Sequence, residues 1–183
     1  MNKTIIALLL STSFAATATE IEHSPWSFNV LAGLTSNSAG DVSNEFTYGA
    51  EVQYNKWLLG ATYFNFEKTD KYFHDIYFTN AVDTTTADYT SIYGGYAIND
   101  TITLKAGYTR ENWEFNGKSY DPTTGDKTFE ITTDGKVDFL MLGLGINYEQ
   151  LNVNLHYNIA RNGDYTGDIT DYDHWTLLMG YKF

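Results

Sequence analysis

The chain has 183 residues, with 11 basic against 23 acidic side chains and a formal charge of -12. So large an acidic excess excludes nucleic-acid binding by phosphate neutralisation, which needs clustered lysine and arginine. Cysteine is absent, which excludes a disulfide framework, so a secreted form must be held together by other means.

The chain opens on "MNKTIIALLLSTSFAATA". Lys3 supplies a positive start, "IIALLL" an apolar run, and Ala16-Thr17-Ala18 a small-x-small cleavage site. This is the pattern of a secretory signal peptide over residues 1–18, cleaved after Ala18. The apolar run is too short to span roughly 30 Å of hydrocarbon. After it, no apolar stretch is long enough for a membrane helix, so membrane residence would have to use strands. Residues 19–183 are expected to form one domain.

From there the sequence alternates with a period of two, the mark of strands with one apolar and one polar face. "WSFNVLAGLT" offers Trp26, Phe28, Val30, Ala32 and Leu34 on one side. "EFTYGAEVQYN" sets Phe46, Tyr48, Ala50, Val52 and Tyr54 against Thr47, Gly49, Glu51 and Gln53. In "WLLGATYFNF" both faces are partly apolar; Trp57, Leu59, Ala61 and Tyr63 are assigned outward because Gly60 and Thr62 suit a crowded interior. In "TSIYGGYAI", Ile92, Tyr96 and Ile98 are assigned outward. "TITLKAGYTRE" separates Ile102, Leu104, Ala106 and Tyr108 from Thr103, Lys105, Gly107 and Thr109. "DFLMLGLGINYE" places Leu140, Leu142, Leu144, Ile146 and Tyr148 opposite Gly143, Gly145 and Asn147. "LNVNLHYNIA" places Leu151, Val153, Leu155, Tyr157 and Ile159 opposite Asn152, Asn154, His156 and Asn158. "HWTLLMGYKF" ends the chain with Trp175, Leu177, Met179, Tyr181 and Phe183 on one face. The expectation is eight strands of about ten residues, the length a tilted strand needs to cross a bilayer.

Short and long connections alternate. Asn55-Lys56, Asn99-Asp100 and Glu149-Gln150 are tight turns, whereas "SNSAGDVSN", "EKTDKYFHDIYFTNAVDTTTAD", "NGKSYDPTTGDKTFEITTDG" and "RNGDYTGDITD" are long. The predicted fold is all-β: an antiparallel up-and-down transmembrane barrel of eight strands, with short periplasmic turns and longer extracellular loops. Trp113 and Phe115, then Phe129 and Ile131, predict a hairpin that projects above the membrane and closes near "SYDPTTGD". "KYFHDIYFT" predicts a second, weaker projection.

In lipid the strands must close on themselves, with apolar side chains outward and polar ones in the lumen. Eight strands leave an interior that side chains fill, so a plugged rod is expected and not an open diffusion pore. Glu51 and Lys105 would both lie inside, where a lone charge is expensive and a pair is tolerated. They are assigned to one interior polar network with Asp138 and His156. An aromatic girdle is expected at the periplasmic rim from Trp26, Tyr54, Trp57, Tyr148, Tyr181 and Phe183. Tyr63, Tyr89, Tyr108, Tyr157 and Trp175 are candidates for the outer rim. Asp164, Asp168, Asp171 and Asp173 cluster in the last long connection. Divalent ions bridging lipopolysaccharide phosphates could bind there, but the spacing matches no EF-hand, and solvated charge is the preferred reading. No metal or cofactor is expected.

Taken together, "GGYAINDTITLKAGYT", "LGLGINYEQLNVNLHYN" and "WTLLMGYKF" resemble the small outer-membrane β-barrels of Gram-negative bacteria, of the Ail/OmpX type and the OmpA-type transmembrane domain. The final stretch is similar to the carboxyl-terminal signal read by the barrel-assembly machinery, carried here by Trp175, Leu177, Met179, Tyr181 and Phe183. The resemblance implies a monomer in the bacterial outer membrane, in contact with its lipid and lipopolysaccharide. Its exposed loops would serve adhesion to host surfaces or protein ligands, other surface interaction, or envelope integrity. One alternative is an outer-membrane lipid A deacylase, to whose His-Tyr-Ser-Asn stretch "LHYNIARNGD" is loosely similar. Asn158 stands where that family has its nucleophilic serine, and an amide cannot replace an activated hydroxyl. His74 and His174 lack a convincing serine and carboxylate set. The other alternative is a narrow channel through the Gly- and Asn-rich interior.

Overall fold

The computed structural model describes residues 25–37, 45–74, 77, 79–164 and 172–183. The expected cleavage site therefore lies outside the described residues. Eight strands form a closed antiparallel ring in chain order: β1 Trp26–Asn37, β2 Glu45–Tyr54, β3 Trp57–His74, β4 Thr79–Ala97, β5 Ile102–Tyr120, β6 Lys127–Tyr148, β7 Leu151–Gly163 and β8 His174–Lys182. The ring shuts where β1 meets β8, in a register running from Asn29↔Lys182 to Asn37↔His174. Phe183 extends that seam, its N–H donating to the Phe28 carbonyl at 2.9 Å.

The three short connections fall at one end. Asn55 (φ 52°) and Glu149 (φ 53°) adopt the left-handed conformation that tight hairpin turns require. In the turn after β4, the Asn99 side-chain carbonyl accepts the N–H groups of Thr101 and Ile102 at 2.9 and 2.8 Å. Asn99 thus supplies the acceptor that a two-residue backbone turn would otherwise supply.

Alternation sorts the side chains as the pleat demands. Trp57, Leu59, Ile92, Ile98, Leu104, Leu142, Leu144, Leu177 and Met179 lie on the exposed outer wall. Asn29, Thr47, Glu51, Thr62, Thr103, Lys105, Asn154 and Asn158 are buried in the lumen. The lumen is less uniformly polar than the sequence implied. Leu31, Tyr93, Met141 and Leu178 are at most 1 % exposed and fill its cross-section. Tyr89, expected at the outer rim, points inward instead and stacks on Phe64 with centroids 4.2 Å apart. The reason is parity: with Ile92 and Tyr96 outward, every odd residue of β4 must face the lumen.

The ring is uneven. β3, β4, β5 and β6 have 18, 19, 19 and 22 residues, far beyond the ten or so expected, while β2 has 10 and β8 has 9. Pairing is continuous across all four long strands. β3 and β4 remain in register out to His74↔Thr79, and β4 and β5 out to Asn80↔Tyr120. The two separate projections expected from the sequence are therefore one four-stranded sheet. From Tyr108 to Tyr120, β5 runs on for about 40 Å along its own axis.

Gly60 shows how tightly the lumen is filled, since a Cβ built there would lie 2.5 Å from the Tyr93 ring. Gly60→Val should displace Tyr93 and destabilise the barrel by about 1–3 kcal/mol, the usual result of overpacking. Equilibrium urea unfolding in lipid vesicles would measure it.

Candidate functional site

Two regions carry the chemistry: the polar core of the lumen and the sheet that rises from it. In the core, β2 and β5 bring Glu51 and Lys105 together as an ion pair whose side chains are each 1 % exposed. The other partners complete both charges. Asn29 Nδ2 and the Tyr93 hydroxyl donate to the Glu51 carboxylate at 3.1 and 2.9 Å. Lys105 Nζ also donates to Asn154 Oδ1 at 2.6 Å, and Asn154 Nδ2 donates to Asn152 Oδ1 at 3.1 Å. A buried ion pair is tolerable only when its remaining valences are satisfied in this way. Above it, Thr35 Oγ1 lies 2.6 Å from Thr47 Oγ1 and 2.8 Å from Thr176 Oγ1. The Thr109 hydroxyl donates to Asn158 Oδ1 at 2.6 Å.

His156 lies inside the lumen edge-on to Tyr93, with centroids 4.9 Å apart. Asp138 does not join this network. It stands on the outer wall, where its carboxylate accepts Arg110 Nε at 2.9 Å and the Tyr108 hydroxyl. The cause is again parity, because Asp138 shares its face with Leu140 and pairs directly with Arg110. His174 is enclosed by the rings of Phe64, Tyr89 and Phe139, and its Nδ1 lies 3.2 Å from the Tyr172 carbonyl. The side chain of His74 lies outside the described residues.

The expected girdle residues line the end with short turns. Trp26 packs on Tyr54 at 4.6 Å, Tyr181 on Phe183 at 4.9 Å, and Trp57 on Tyr96 at 5.0 Å between centroids. Tyr148 is exposed beside them, and Trp175, Leu177 and Met179 face outward along β8. At the opposite rim a pattern recurs that the sequence did not reveal. Three tyrosine hydroxyls each donate to an aspartate: Tyr63 to Asp88 at 2.6 Å, Tyr157 to Asp173 at 2.9 Å, and Tyr108 to Asp138. Asp173 also accepts the Ala160 N–H at 2.8 Å, and Asp164 accepts the Lys136 N–H at 3.3 Å. These two members of the supposed acidic cluster thus have structural partners, while Asp168 and Asp171 lie outside the described residues.

The projecting sheet has two unlike faces. Its inner face continues the lumen wall and carries a trough of about 580 Å³, walled by Tyr72, Phe115, Phe129 and Ile131, with Asp83 and Gly117 at its floor. The Tyr72 hydroxyl donates to Asp83 at 2.8 Å, and this hydrogen bond holds the phenol above its ordinary pKa. At the margin Glu130 engages Lys127 at 2.5 Å and Lys118 at 3.5 Å, and the hydrogen bond from Lys127 holds its carboxyl below the usual range. The outer face bears Glu67, Asp88, Glu114 and Asp134 with Lys136 around a shallower hollow of about 400 Å³. At the tip, the Asp121 carboxylate accepts the N–H groups of Thr124 and Thr123 at 3.0 and 2.7 Å, bonds that lower its pKa. Gly125 (φ 76°) completes the turn.

No protein-family model matches the sequence, and no curated protein matches it either. Several solved structures are similar to the chain. The attachment invasion locus protein Ail of Yersinia pestis is 12 % identical, with a TM-score of 0.48 over 86 % of this chain and 96 % of that one. CarO of Acinetobacter baumannii is 8 % identical, with a TM-score of 0.43 over 85 % and 97 %. The N-terminal β-barrel domain of Pseudomonas aeruginosa OprF is 12 % identical, with a TM-score of 0.35 over 86 % and 97 %.

Lys105→Met should destabilise the barrel by about 3–5 kcal/mol, because it strands Glu51 as a buried charge. The double change Glu51→Gln with Lys105→Met should recover most of that loss in urea titrations. The tip responds to pH. Because folding lowers the Asp121 pKa, its contribution is complete above the ordinary value of 3.8 and is lost as pH falls through the depressed one. Protection factors of the Thr123 and Thr124 amides should fall between pH 5 and pH 2, and Asp121→Ala should remove that dependence.

Proposed function

We propose that the chain is an outer-membrane β-barrel that anchors a projecting four-stranded sheet at the cell surface, where the sheet makes adhesive or other surface contacts. The observation that carries this reading is the pairing of β3 to β6 far past the aromatic rim, with one bulge between Ser119 and Tyr120 near the tip. A barrel serving only as a membrane plug would not need 18- to 22-residue strands on one side alone. The exposed apolar wall between two aromatic rims supports residence in a bilayer, which every paired strand of the ring can tolerate. The outward apolar face of β8, with Trp175, Leu177 and Met179, supports recognition by the barrel-assembly machinery. Contact with lipid and lipopolysaccharide at the rims belongs to the same reading.

The lumen supports a sealed rod. Leu31, Tyr93, Met141 and Leu178 close the cross-section, and the Glu51–Lys105 network spans it. Catalysis by a lipid A deacylase is not supported at His156, which is enclosed beside Tyr93 with Asn158 as its lumenal neighbour.

Replacing residues 112–135 with a short turn should remove the β5–β6 half of the projection and keep the barrel. The expected outcome is normal outer-membrane assembly with adhesion to host cells or matrix reduced about tenfold or more, the scale expected when a central contact patch is removed. Unchanged adhesion would count for a structural role in the envelope.

A further inference from the structure

The trough on the inner face of the projection combines features that select the charge of what enters it. Asp83 lies half-buried at its floor, where Phe115 and Tyr72 also line the trough and the Tyr72 hydroxyl donates to it at 2.8 Å, and Gly117 leaves the carboxylate room on the neighbouring strand. A Cβ built on Gly117 would lie 3.2 Å from Asp83 Oδ1. Directly across the β3–β4 ladder stands Asp70, in register with Asp83 and on the same face. Asp70 is offset by Lys68, whose Nζ lies 3.5 Å from its carboxylate, so the acid left to meet an incoming cation is Asp83. At the margin Lys118 and Lys127 are both engaged by Glu130, so their charge is offset there and not at Asp83. The aromatic walls add attraction for a cation, whose charge is stabilised by ring faces.

From this arrangement we propose that the trough receives an arginine or lysine side chain of a partner polypeptide, with its charged head on Asp83 and its stem against Phe115 and Phe129. The proposal rests on the reading of the projection as a contact surface and names the chemistry of its partner. An anion would meet the Asp83 carboxylate and be repelled. A free amine or a bare guanidinium would fill only a small part of about 580 Å³ and leave Phe129 and Ile131 wet. A polypeptide supplies the aliphatic stem and the apolar neighbours that cover them. The charge of -12 steers basic partners toward the molecule before contact.

The test uses the full barrel in detergent micelles and two fluorescently labelled tripeptide amides, leucine–arginine–leucine and its counterpart with neutral citrulline. Fluorescence anisotropy should show the arginine peptide binding about tenfold more tightly than the citrulline one, with the difference shrinking as salt rises. Asp83→Asn should abolish the preference, and Phe129→Ala, at a position 57 % exposed, should weaken the arginine peptide while leaving the fold intact. Equal affinity for the two peptides would overturn the proposal. So would no binding at millimolar peptide, a preference that survives Asp83→Asn, or displacement of the peptide by equimolar methyl glucoside, which would assign the trough to a sugar. The outcome is separable from the contact reading: adhesion lost on replacing 112–135 without any arginine preference would keep the contact surface and remove its cationic ligand.

Discussion

Each strand of a sheet carries unpaired N–H and C=O groups along any edge without a neighbour, and in hydrocarbon each such group costs several kcal/mol. This chain answers that demand by pairing β1 with β8, and most other features follow from the closure. Once the ring is shut, alternation leaves two destinations for a side chain, the lumen or the outer wall. The lumen of an eight-stranded ring is narrow, so what points inward must fill it and must satisfy its own polar groups. The Glu51–Lys105 pair, with Asn29, Tyr93 and Asn154 around it, is how charged side chains fit that space. Closure holds only as high as β7, β8, β1 and β2 reach. Beyond the outer rim β3 to β6 continue alone, and there the requirement changes. Among the described residues, β3 above Phe64 and β6 below Val137 each have one edge without a strand partner. Such edges are tolerable only in water, which places the projection on the aqueous side of the rim.

Much of this was legible in sequence because a period of two is a strong signal where one face meets lipid. The clean strands, those with Glu51, Lys105 and Asn154, gave their phase directly, and the three tight turns marked one end of the ring. The departures have definite causes. The charge of Asp138 suits an interior network, yet its phase with Leu140 turns it outward beside Arg110. The ring of Tyr89 suits an outer rim, yet the phase of Ile92 turns it inward onto Phe64. In both cases parity overrides side-chain chemistry, because a strand cannot rotate one residue without its neighbours.

What sequence could not supply was register between distant strands. Tyr93 completes the Glu51 carboxylate from two strands away, a relation invisible in "TSIYGGYAI". The merger of two loops into one sheet also depends on register, in this case the match of Asp83 with Gly117 and Ala81 with Ser119. "NAVDTTTAD" is rich in threonine and aspartate and reads as a loop; it becomes strand because β3 and β5 flank it on both sides. The trough arises from the same pairing, since its walls come from four segments that no local pattern connects.

The continuity of β3 to β6 also has a mechanical meaning. No turn or loop separates the projection from the barrel, so the sheet has no hinge at its base. A pull on the tip at Asp121 travels down strands that are also staves of the ring. It loads the ladder bonds between neighbouring strands in parallel, as shear, and does not peel them one by one. A stalk of this construction resists tension to the strength of the barrel that holds it.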